Sequence, residues 1–274
     1  MSASENELRL LTEIGLDFAK ISSALSERGV CDLSLFVSYE TESTNKDAKE
    51  HYEKQGECPA VFIADGQTGG RGRRGRSFAS AHGAGIYMSL LLCPDSELCS
   101  LTAVTTFAAV AVCRAIERVC GLSPDIKWVN DIYCKGKKLG GILTEGALSS
   151  DMRTAKYVIV GIGLNVLKTE FPDDIKSIAI SLEEATGEKY DRNLLAAEII
   201  KELCGSKEGF SSKKITEEYR RRSFIVGRDI TVHKLSESYD ARVVSIEDDM
   251  SLLIRHTDGK EEKLVTGEVS VKAL

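Results

Sequence analysis

Residues 60–76 read AVFIADGQTGGRGRRGR, an apolar run that leads directly into four glycines and four arginines within residues 69–76. The whole protein has a formal net charge of -6, so these arginines concentrate mutually repelling cations on an acidic background. Arginine donates paired hydrogen bonds to phosphate or carboxylate, and glycine lets backbone N–H groups approach the same anion. The stretch therefore predicts a buried strand followed by an anion-binding loop.

Composition limits the class of protein. The chain has 274 residues, of which 42% are hydrophobic and 28% charged, as in an ordinary globular protein with one large domain or one large and one small. No apolar run reaches the roughly 18 to 20 residues of a membrane helix, and Glu5 and Glu7 argue against a secretory or transit peptide. The eight cysteines form no CxxC pair. We expect reduced thiols in a cytoplasmic protein, with no membrane partner.

Hydrophobic periodicity places the loop within a mixed pattern of helices and strands. Helices are predicted at 5–28, 44–55, 100–120, 191–204 and 213–222, and strands at 33–39, 60–64, 85–93, 125–134, 138–145 and 157–166. From residue 227 onward the pattern changes to short strands separated by turns, at 230–233, 241–246, 251–256, 263–265 and 269–271. This rhythm is typical of a small barrel.

Four segments carry residues suited to chemistry, and each alone has a structural alternative. Ser43-Thr44-Asn45 is also a good helix N-cap. The arginines of 69–76 would also suit an exposed nucleic-acid-binding segment. Lys127 to Asp131 and Lys137 to Leu143 read equally well as a solvated hairpin. Gly161 to Val166 lacks the third glycine and the following helix of a dinucleotide fingerprint.

Taken together and in this order, the motifs GRGRRGR, KWVND, KLGGIL and GIGLN resemble those of the biotin protein ligase family over roughly Phe36 to Leu274. The resemblance implies an α/β (α+β) fold, a mixed β-sheet flanked by helices in a class II synthetase-like catalytic domain, plus a small C-terminal SH3-like β-barrel. It divides the chain into an N-terminal helical extension (1–32), a catalytic domain (33–225) and the SH3-like domain (226–274).

The same resemblance implies an ATP-dependent ligase. Such an enzyme forms biotinyl-5′-AMP from biotin and MgATP, then transfers biotin to a lysine of a biotin carboxyl carrier domain. The expected substrates and cofactors are biotin, ATP and Mg²⁺. We expect no DNA partner, since the chain has no room for a repressor's N-terminal DNA-binding domain; a homodimer and a monomer both stay open.

Site residues follow from the resemblance, position by position. The catalytic candidates are Lys138, Arg71 and Arg73. Biotin binding is assigned to Ser43, Thr44, Asn45, Gln67, Gly70, Arg71, Gly72, Arg73, Tyr87, Lys138, Gly141 and Gly161. ATP and adenylate binding is assigned to Arg71, Arg73, Phe78, Lys127, Asn130 and Asn165, and the metal ligand to Asp131.

Two positions depart from the family pattern. Val129 replaces a proline, and we expect it to sit in an extended strand; Phe78 replaces a tryptophan, which reduces the ring face offered to adenine. Three rival interpretations remain. A lipoate or octanoyl ligase usually carries a different glycine-rich motif. The acidic total charge and the lack of aromatic interleaving count against a nucleic-acid-binding protein, and the joint retention of Lys138, Arg71, Arg73 and Gln67 counts against a pseudoenzyme.

Overall fold

The structure is a computed structural model that describes residues 15–94, 100–148, 155–205, 210, 212–234, 237–265 and 267–272. The predicted N-terminal helix is described only in part, because residues 1–14 lie outside these ranges. The helices are α1 (Phe18–Glu27), α2 (Thr44–Gln55), α3 (Leu101–Cys120), α4 (Leu182–Thr186), α5 (Arg192–Cys204) and α6 (Lys213–Arg222), with a short 3-10 turn at Arg73–Gly75. None of the helices in the described ranges is long and apolar enough to cross a membrane.

A seven-stranded sheet forms the centre of the larger part of the chain. Its strands are β1 (Ser34–Thr41), β2 (Ala60–Gln67), β3 (Gly85–Leu92), β4 (Asp125–Lys127), β5 (Asp131–Cys134), β6 (Lys137–Leu148) and β7 (Ala155–Asn165), in the spatial order β1-β2-β3-β7-β6-β5-β4. β1 and β2 are parallel and all other neighbours antiparallel. The expected mixed sheet is thus confirmed.

Helix α3 covers one face of this sheet because its sequence is apolar nearly all round. Ser100 accepts a hydrogen bond from the backbone N–H of Ala103 at the start of α3, and Gly121 ends it in the left-handed conformation, with φ of 65°. Both ends are as predicted from Ser100 and Gly121, since a serine hydroxyl satisfies a free N–H and glycine tolerates positive φ. The other face carries the candidate site, so α3 and its core fix the sheet on which the site is built.

The C-terminal strands form a second, five-stranded antiparallel sheet. They are β8 (Asp229–His233), β9 (Ser238–Ile246), β10 (Leu252–His256), β11 (Glu261–Leu264) and β12 (Glu268–Val271), in the order β11-β10-β9-β8-β12. The strand pattern agrees with the SH3-like expectation, but within the described residues β11 and β12 are edges and no closed barrel is formed. The domain limits given above stay a prediction.

Trp128 joins the two sheets rather than facing the site. Its side chain is buried, and its indole N–H donates to the Met250 carbonyl oxygen at 2.7 Å. The next residue, Val129, lies in the turn between β4 and β5, after a cis peptide bond. The expectation of an extended strand at Val129 is therefore wrong. The chain reverses there so that β5 can pair with β4.

The cysteine expectation also needs correction. Cys58 and Cys93 are joined as a disulfide, with their Cα atoms 6.0 Å apart. They lie next to the paired ends of β2 and β3, where Ala60 is opposite Leu91. No sequence spacing signals this pair, because the antiparallel pairing of two strands separated by a loop brings the thiols together.

An ion-pair cluster fastens α3 to α6 and makes folding depend on pH. Arg222 donates to both carboxylate oxygens of Glu117 at 2.8 and 2.6 Å. These hydrogen bonds lower the pKa of Glu117 from 4.5 to about 2. Because the pKa of Glu117 is lower in the folded than in the unfolded protein, the ionised carboxylate stabilises the fold at any pH above about 4.5. This stabilisation is lost as the pH falls from about 4.5 towards 2.

We therefore expect Glu117→Gln to lower the free energy of unfolding at pH 7, and the difference from the wild type to shrink between pH 4.5 and 2. Denaturant unfolding followed by the emission of Trp128 measures both free energies. Glu53→Gln, an exposed change on α2, is the control. A difference for Glu117→Gln that stays constant down to pH 2 would contradict the assignment.

Candidate active site

The glycine–arginine loop folds back on itself between β2 and β3. The Gly72 N–H donates to the Arg76 carbonyl oxygen at 2.6 Å, and Arg71 and Ser77 form an isolated antiparallel bridge. Arg74 has a φ of 56°, in the left-handed region that side chains rarely adopt. The loop is therefore held in one tight shape that turns several arginine side chains in different directions.

Two arginines attach the loop to the C-terminal sheet. Arg74 donates to the His233 carbonyl oxygen at 2.7 Å, and Arg76 pairs with Glu268 at 2.5 Å. Sequence analysis had no signal for Glu268, because it lies 192 positions from Arg76. These contacts hold the Arg74 and Arg76 side chains against the C-terminal sheet, whereas Arg71 and Arg73 form no hydrogen bond or salt bridge with the described residues of that sheet.

One pocket collects most of the predicted residues. Of the assigned side chains and glycines, those that line it are Ser43, Thr44, Asn45, Gln67, Arg71, Gly72, Arg73, Phe78, Asn130, Asp131, Lys138, Gly141 and Gly161. Four segments far apart in sequence thus converge on one cleft. The lining residues to which the sequence analysis assigned no role are Arg74, Arg76, Ser77, Ile142, Leu143, Ile162, Gly163, Gly267 and Glu268.

The cationic end of the pocket is built from the loop and the β5–β6 hairpin. Lys138 Nζ lies 2.6 Å from Asp131 Oδ1, and both side chains are partly exposed to the pocket. Arg73 donates to Asn130 Oδ1 at 3.2 Å, and burial lowers the pKa of its guanidinium. Arginine remains charged in spite of such a shift. The Lys138 ammonium and the Arg73 guanidinium thus lie at this end of the pocket together with the Asp131 carboxylate.

The opposite end of the pocket is a chain of short polar side chains. Gln67 Oε1 accepts from the Thr44 backbone N–H at 2.9 Å, and Gln67 Nε2 donates to Ser80 at 2.9 Å. Ser89, fully buried, lies 2.7 Å from Thr44 Oγ1 and 2.6 Å from Asn45 Oδ1. Ser89 was missed, although it is the one polar residue in the otherwise apolar strand GIYMSLLL.

Four assigned residues, Gly70, Tyr87, Lys127 and Asn165, do not line this pocket, and their assignments stay predictions. The Gly70 backbone is enclosed by Phe78 and Ser80, and it supports the base of the loop. Lys127 places its ammonium 5.8 Å from the centre of the Tyr133 ring, outside the pocket.

Tyr87 and Asn165 line a second cavity instead. The Tyr87 hydroxyl donates to the Ala81 carbonyl oxygen at 2.9 Å, and Asn165 Nδ2 donates to the Ile180 carbonyl oxygen at 3.2 Å. The Phe78 ring lies over Gly163 and 6.4 Å from the Tyr87 ring, between centroids. Phe78 therefore stands between the main pocket and the cavity that holds Asn165.

Two glycines of β7 lack side chains because neighbouring groups fill the space. A Cβ on Gly161 would collide with the Asn45 side-chain amide, and one on Gly163 would lie 2.5 Å from the Phe78 ring. Gly141 is different, since a Cβ there would make ordinary contacts at 3.4 Å.

We expect Gly161→Ala to displace the Asn45 amide and weaken ligand binding at the polar end by at least about 100-fold, because overpacking a filled site costs about 1–3 kcal/mol and also breaks the Asn45 hydrogen bonds. Gly141→Ala should have a far smaller effect. Isothermal titration with biotin measures both. Equal losses for the two variants would show that Gly161 is not singled out by Asn45.

The described residues contain no group of three or more His, Cys, Asp or Glu side chains able to hold a metal ion. Asp131, the assigned ligand, is paired with Lys138. A single paired carboxylate does not form a dedicated metal site. It is compatible only with an ion held mainly by substrate phosphates, as is common for Mg²⁺.

Comparison with known proteins agrees with this geometry. Residues 37–165 match the model of the biotin/lipoate A/B protein ligase family. The bifunctional ligase/repressor BirA of Bacillus subtilis is 38% identical over 226 residues, which cover 79% of this chain and 68% of that protein. The biotin–[acetyl-CoA-carboxylase] ligase of Mycobacterium tuberculosis is 28% identical over 242 residues, covering 86% and 88%.

Among solved structures, a biotin protein ligase from Aquifex aeolicus in complex with biotin and ATP superposes with a TM-score of 0.74 and 28% identity. The match covers 87% of this chain and 98% of that one. Fold and site thus define a ligase of the biotin/lipoate type. The chain belongs to this family, among its biotin protein ligases.

Proposed function

We propose that this protein activates biotin with MgATP to biotinyl-5′-AMP and then transfers the biotinyl group to a lysine of a biotin carboxyl carrier domain. The observation that supports the proposal is a single pocket with neutral polar side chains at one end and Lys138, Arg71 and Arg73 at the other. Such a pocket suits a ligand with a polar ring and a distant carboxylate.

In the first step, a biotin carboxylate oxygen attacks the α-phosphorus of ATP, and pyrophosphate leaves with the electrons of the broken P–O bond. Carboxylate and triphosphate repel each other, so the reaction needs fixed positive charge where they meet. Lys138 and Arg73 would supply it, because both side chains line that end of the pocket. A magnesium ion would arrive with ATP, and Asp131 is the carboxylate at that end.

In the second step, a neutral lysine amine of the carrier attacks the acyl carbon of the mixed anhydride. The amide forms, AMP leaves, and the amine loses a proton. Lys138 would stabilise the charge that develops on the acyl oxygen as a compact point charge. Its pairing with Asp131 at 2.6 Å holds the ammonium in place without filling its two other N–H donors.

We propose that adenine lies near Phe78 and the second cavity. Asn165 uses one of its two amide N–H groups for the Ile180 carbonyl oxygen, so its second N–H and its amide oxygen are left to donate to an adenine ring nitrogen and to accept from the adenine amino group. Lys127 stays proposed for the triphosphate, since its charge interacts with those of Asp131 and Lys138 at the cationic end of the pocket.

The relative from Bacillus subtilis is named both a ligase and a repressor. Only the ligase half is proposed here. The cytoplasmic location stays a prediction.

The proposal is tested by incubating the purified chain with labelled biotin, MgATP and an isolated carrier domain. Label should appear on the carrier lysine, together with pyrophosphate and AMP in equal amounts. Omission of ATP should abolish labelling. Labelling of the carrier by lipoate in place of biotin would favour the lipoate-ligase alternative.

A further inference from the structure

A chain of hydrogen bonds, in which each bond has one donor-to-acceptor direction, runs from β6 into the polar end of the pocket. Its first member is Glu145, which sequence analysis did not single out. Glu145 Oε2 lies 2.6 Å from Asn45 Nδ2. Glu145 is half-buried, and among the described residues it forms no salt bridge. Its strongest polar partner is thus a neutral side-chain amide.

The charge of Glu145 fixes which way the Asn45 amide faces. A carboxylate supplies no hydrogen, so an atom 2.6 Å away must be the amide nitrogen rather than the oxygen. The Leu143 carbonyl oxygen, 3.5 Å from Asn45 Nδ2, favours the same orientation weakly. The amide oxygen, Oδ1, then faces Ser89.

This orientation fixes the Ser89 hydroxyl in turn. Asn45 Oδ1 carries no hydrogen and lies 2.6 Å from Ser89 Oγ, so Ser89 donates its only hydrogen to Asn45. Ser89 Oγ also lies 2.7 Å from Thr44 Oγ1. Two hydroxyl oxygens this close need a hydrogen between them. Because the Ser89 hydrogen is on Asn45, this hydrogen comes from Thr44, whose other acceptor, Gln67 Oε1, is farther away at 3.3 Å.

Thr44 is thereby left with no hydrogen for a ligand. Thr44 lines the pocket, and with its hydrogen given to Ser89 its Oγ1 can accept a hydrogen bond from a ligand but not donate one. We infer that Glu145 and Ser89 are positioning residues that make Thr44 an obligate acceptor. The polar end of the pocket would therefore select a ring with an N–H donor at this point and reject a ring with an oxygen there.

The inference rests on the proposed function, because biotin is the ligand whose ureido ring offers such N–H donors. In Glu145→Gln the new side chain can either accept or donate. The Asn45 amide can then turn over, Ser89 can donate to Thr44, and the Thr44 hydrogen is left to the long contact with Gln67 Oε1 at 3.3 Å or to the ligand. The glutamine side chain has nearly the same volume as the glutamate side chain, so packing changes little.

The test measures the affinity of the full chain for biotin and for its two cyclic-carbamate analogues, in each of which oxygen replaces one ring N–H. For the wild type, one analogue should bind at least about 100-fold more weakly than biotin, because two buried acceptors would then face each other. Glu145→Gln should reduce this ratio, the dissociation constant of the analogue divided by that of biotin, by about fivefold or more, with a smaller loss of biotin affinity.

A second variant checks the chain without altering a charge. Ser89→Ala removes the hydroxyl oxygen that accepts the hydrogen bond from Thr44, and should lower the same ratio. The double variant should lower it no further than the stronger single one, because both act on one chain. Glu53→Gln, exposed on α2, is the matched control, and thermal unfolding confirms that each variant is folded.

The outcomes separate the two proposals. If the wild type binds biotin, but the ratio is small or is unchanged within twofold in folded Glu145→Gln, the inference is overturned and the proposed function stands. If the wild type binds no biotin at all, both are overturned.

Discussion

Replacing Lys138 by alanine is expected to slow biotinyl-adenylate formation by about 10³-fold or more, and to reduce carrier labelling below detection. The Lys138 ammonium lines the pocket and is held 2.6 Å from Asp131. Its removal takes a fixed cation from the meeting point of carboxylate and phosphate. It also leaves Asp131 as an uncompensated negative charge that repels both substrates.

The measurement is pyrophosphate release with biotin and MgATP. Lys137→Ala is the matched control, because Lys137 is the preceding residue on β6 and does not line the pocket. It should keep most of the activity. If Lys138→Ala retained a tenth of the wild-type rate while Lys137→Ala behaved as the wild type, Lys138 would not stabilise the reacting charge.

Replacing Arg73 by glycine is expected to let the adenylate escape before transfer. Arg73 reaches from the loop to Asn130 on the far side of the pocket, so it closes the cationic end and offers its remaining N–H groups to the phosphate. Loss of a charge-assisted pair of hydrogen bonds should raise the rate of adenylate dissociation by about 10²-fold. The released mixed anhydride would then biotinylate lysines of any protein nearby.

The measurement is labelling of a bystander protein that contains no carrier sequence. Arg74→Gly controls for a glycine in the same turn. Arg74 already has a left-handed φ, which glycine adopts freely, and its side chain bonds the His233 carbonyl oxygen. Bystander labelling by Arg73→Gly at the level of Arg74→Gly would show that Arg73 does not retain the adenylate.

The sequence predicts the helices and strands of the fold better than the contacts between elements that are distant in sequence. Helix α3 was predictable from its apolar content and from its capping residues Ser100 and Gly121, because these are local signals. The disulfide between Cys58 and Cys93 and the burial of Trp128 against Met250 were not. Both depend on which strands become neighbours, and no local pattern states that.

The site residues likewise fall into those whose position the motifs predicted and those whose position depends on packing. Residues within the four motifs, such as Gln67 and Lys138, converge on the pocket as the resemblance implied. Tyr87 and Asn165 were assigned to the right strands, but they line a neighbouring cavity, because the Phe78 ring occupies the space over Gly163. Side-chain direction at a crowded sheet surface depends on packing partners that only the folded chain supplies.

Glu145 shows what a motif-based assignment leaves out. Glu145 lies just beyond the KLGGIL motif, and its effect on the pocket passes through Asn45 and Ser89. A residue that acts through two others has no sequence signature of its own. The hydrogen-bond distances reveal it, since each one requires a hydrogen from a particular side.

The central claim is that this pocket couples biotin to a carrier lysine. It is tested most directly by the mass of an isolated carrier domain after reaction with the purified chain, MgATP, and equal concentrations of biotin and lipoate. The account predicts a single added biotinyl group and no lipoyl group, with neither product formed by Lys138→Ala. A carrier that gains the lipoyl group, or that remains unmodified in the presence of folded wild-type protein, would contradict it.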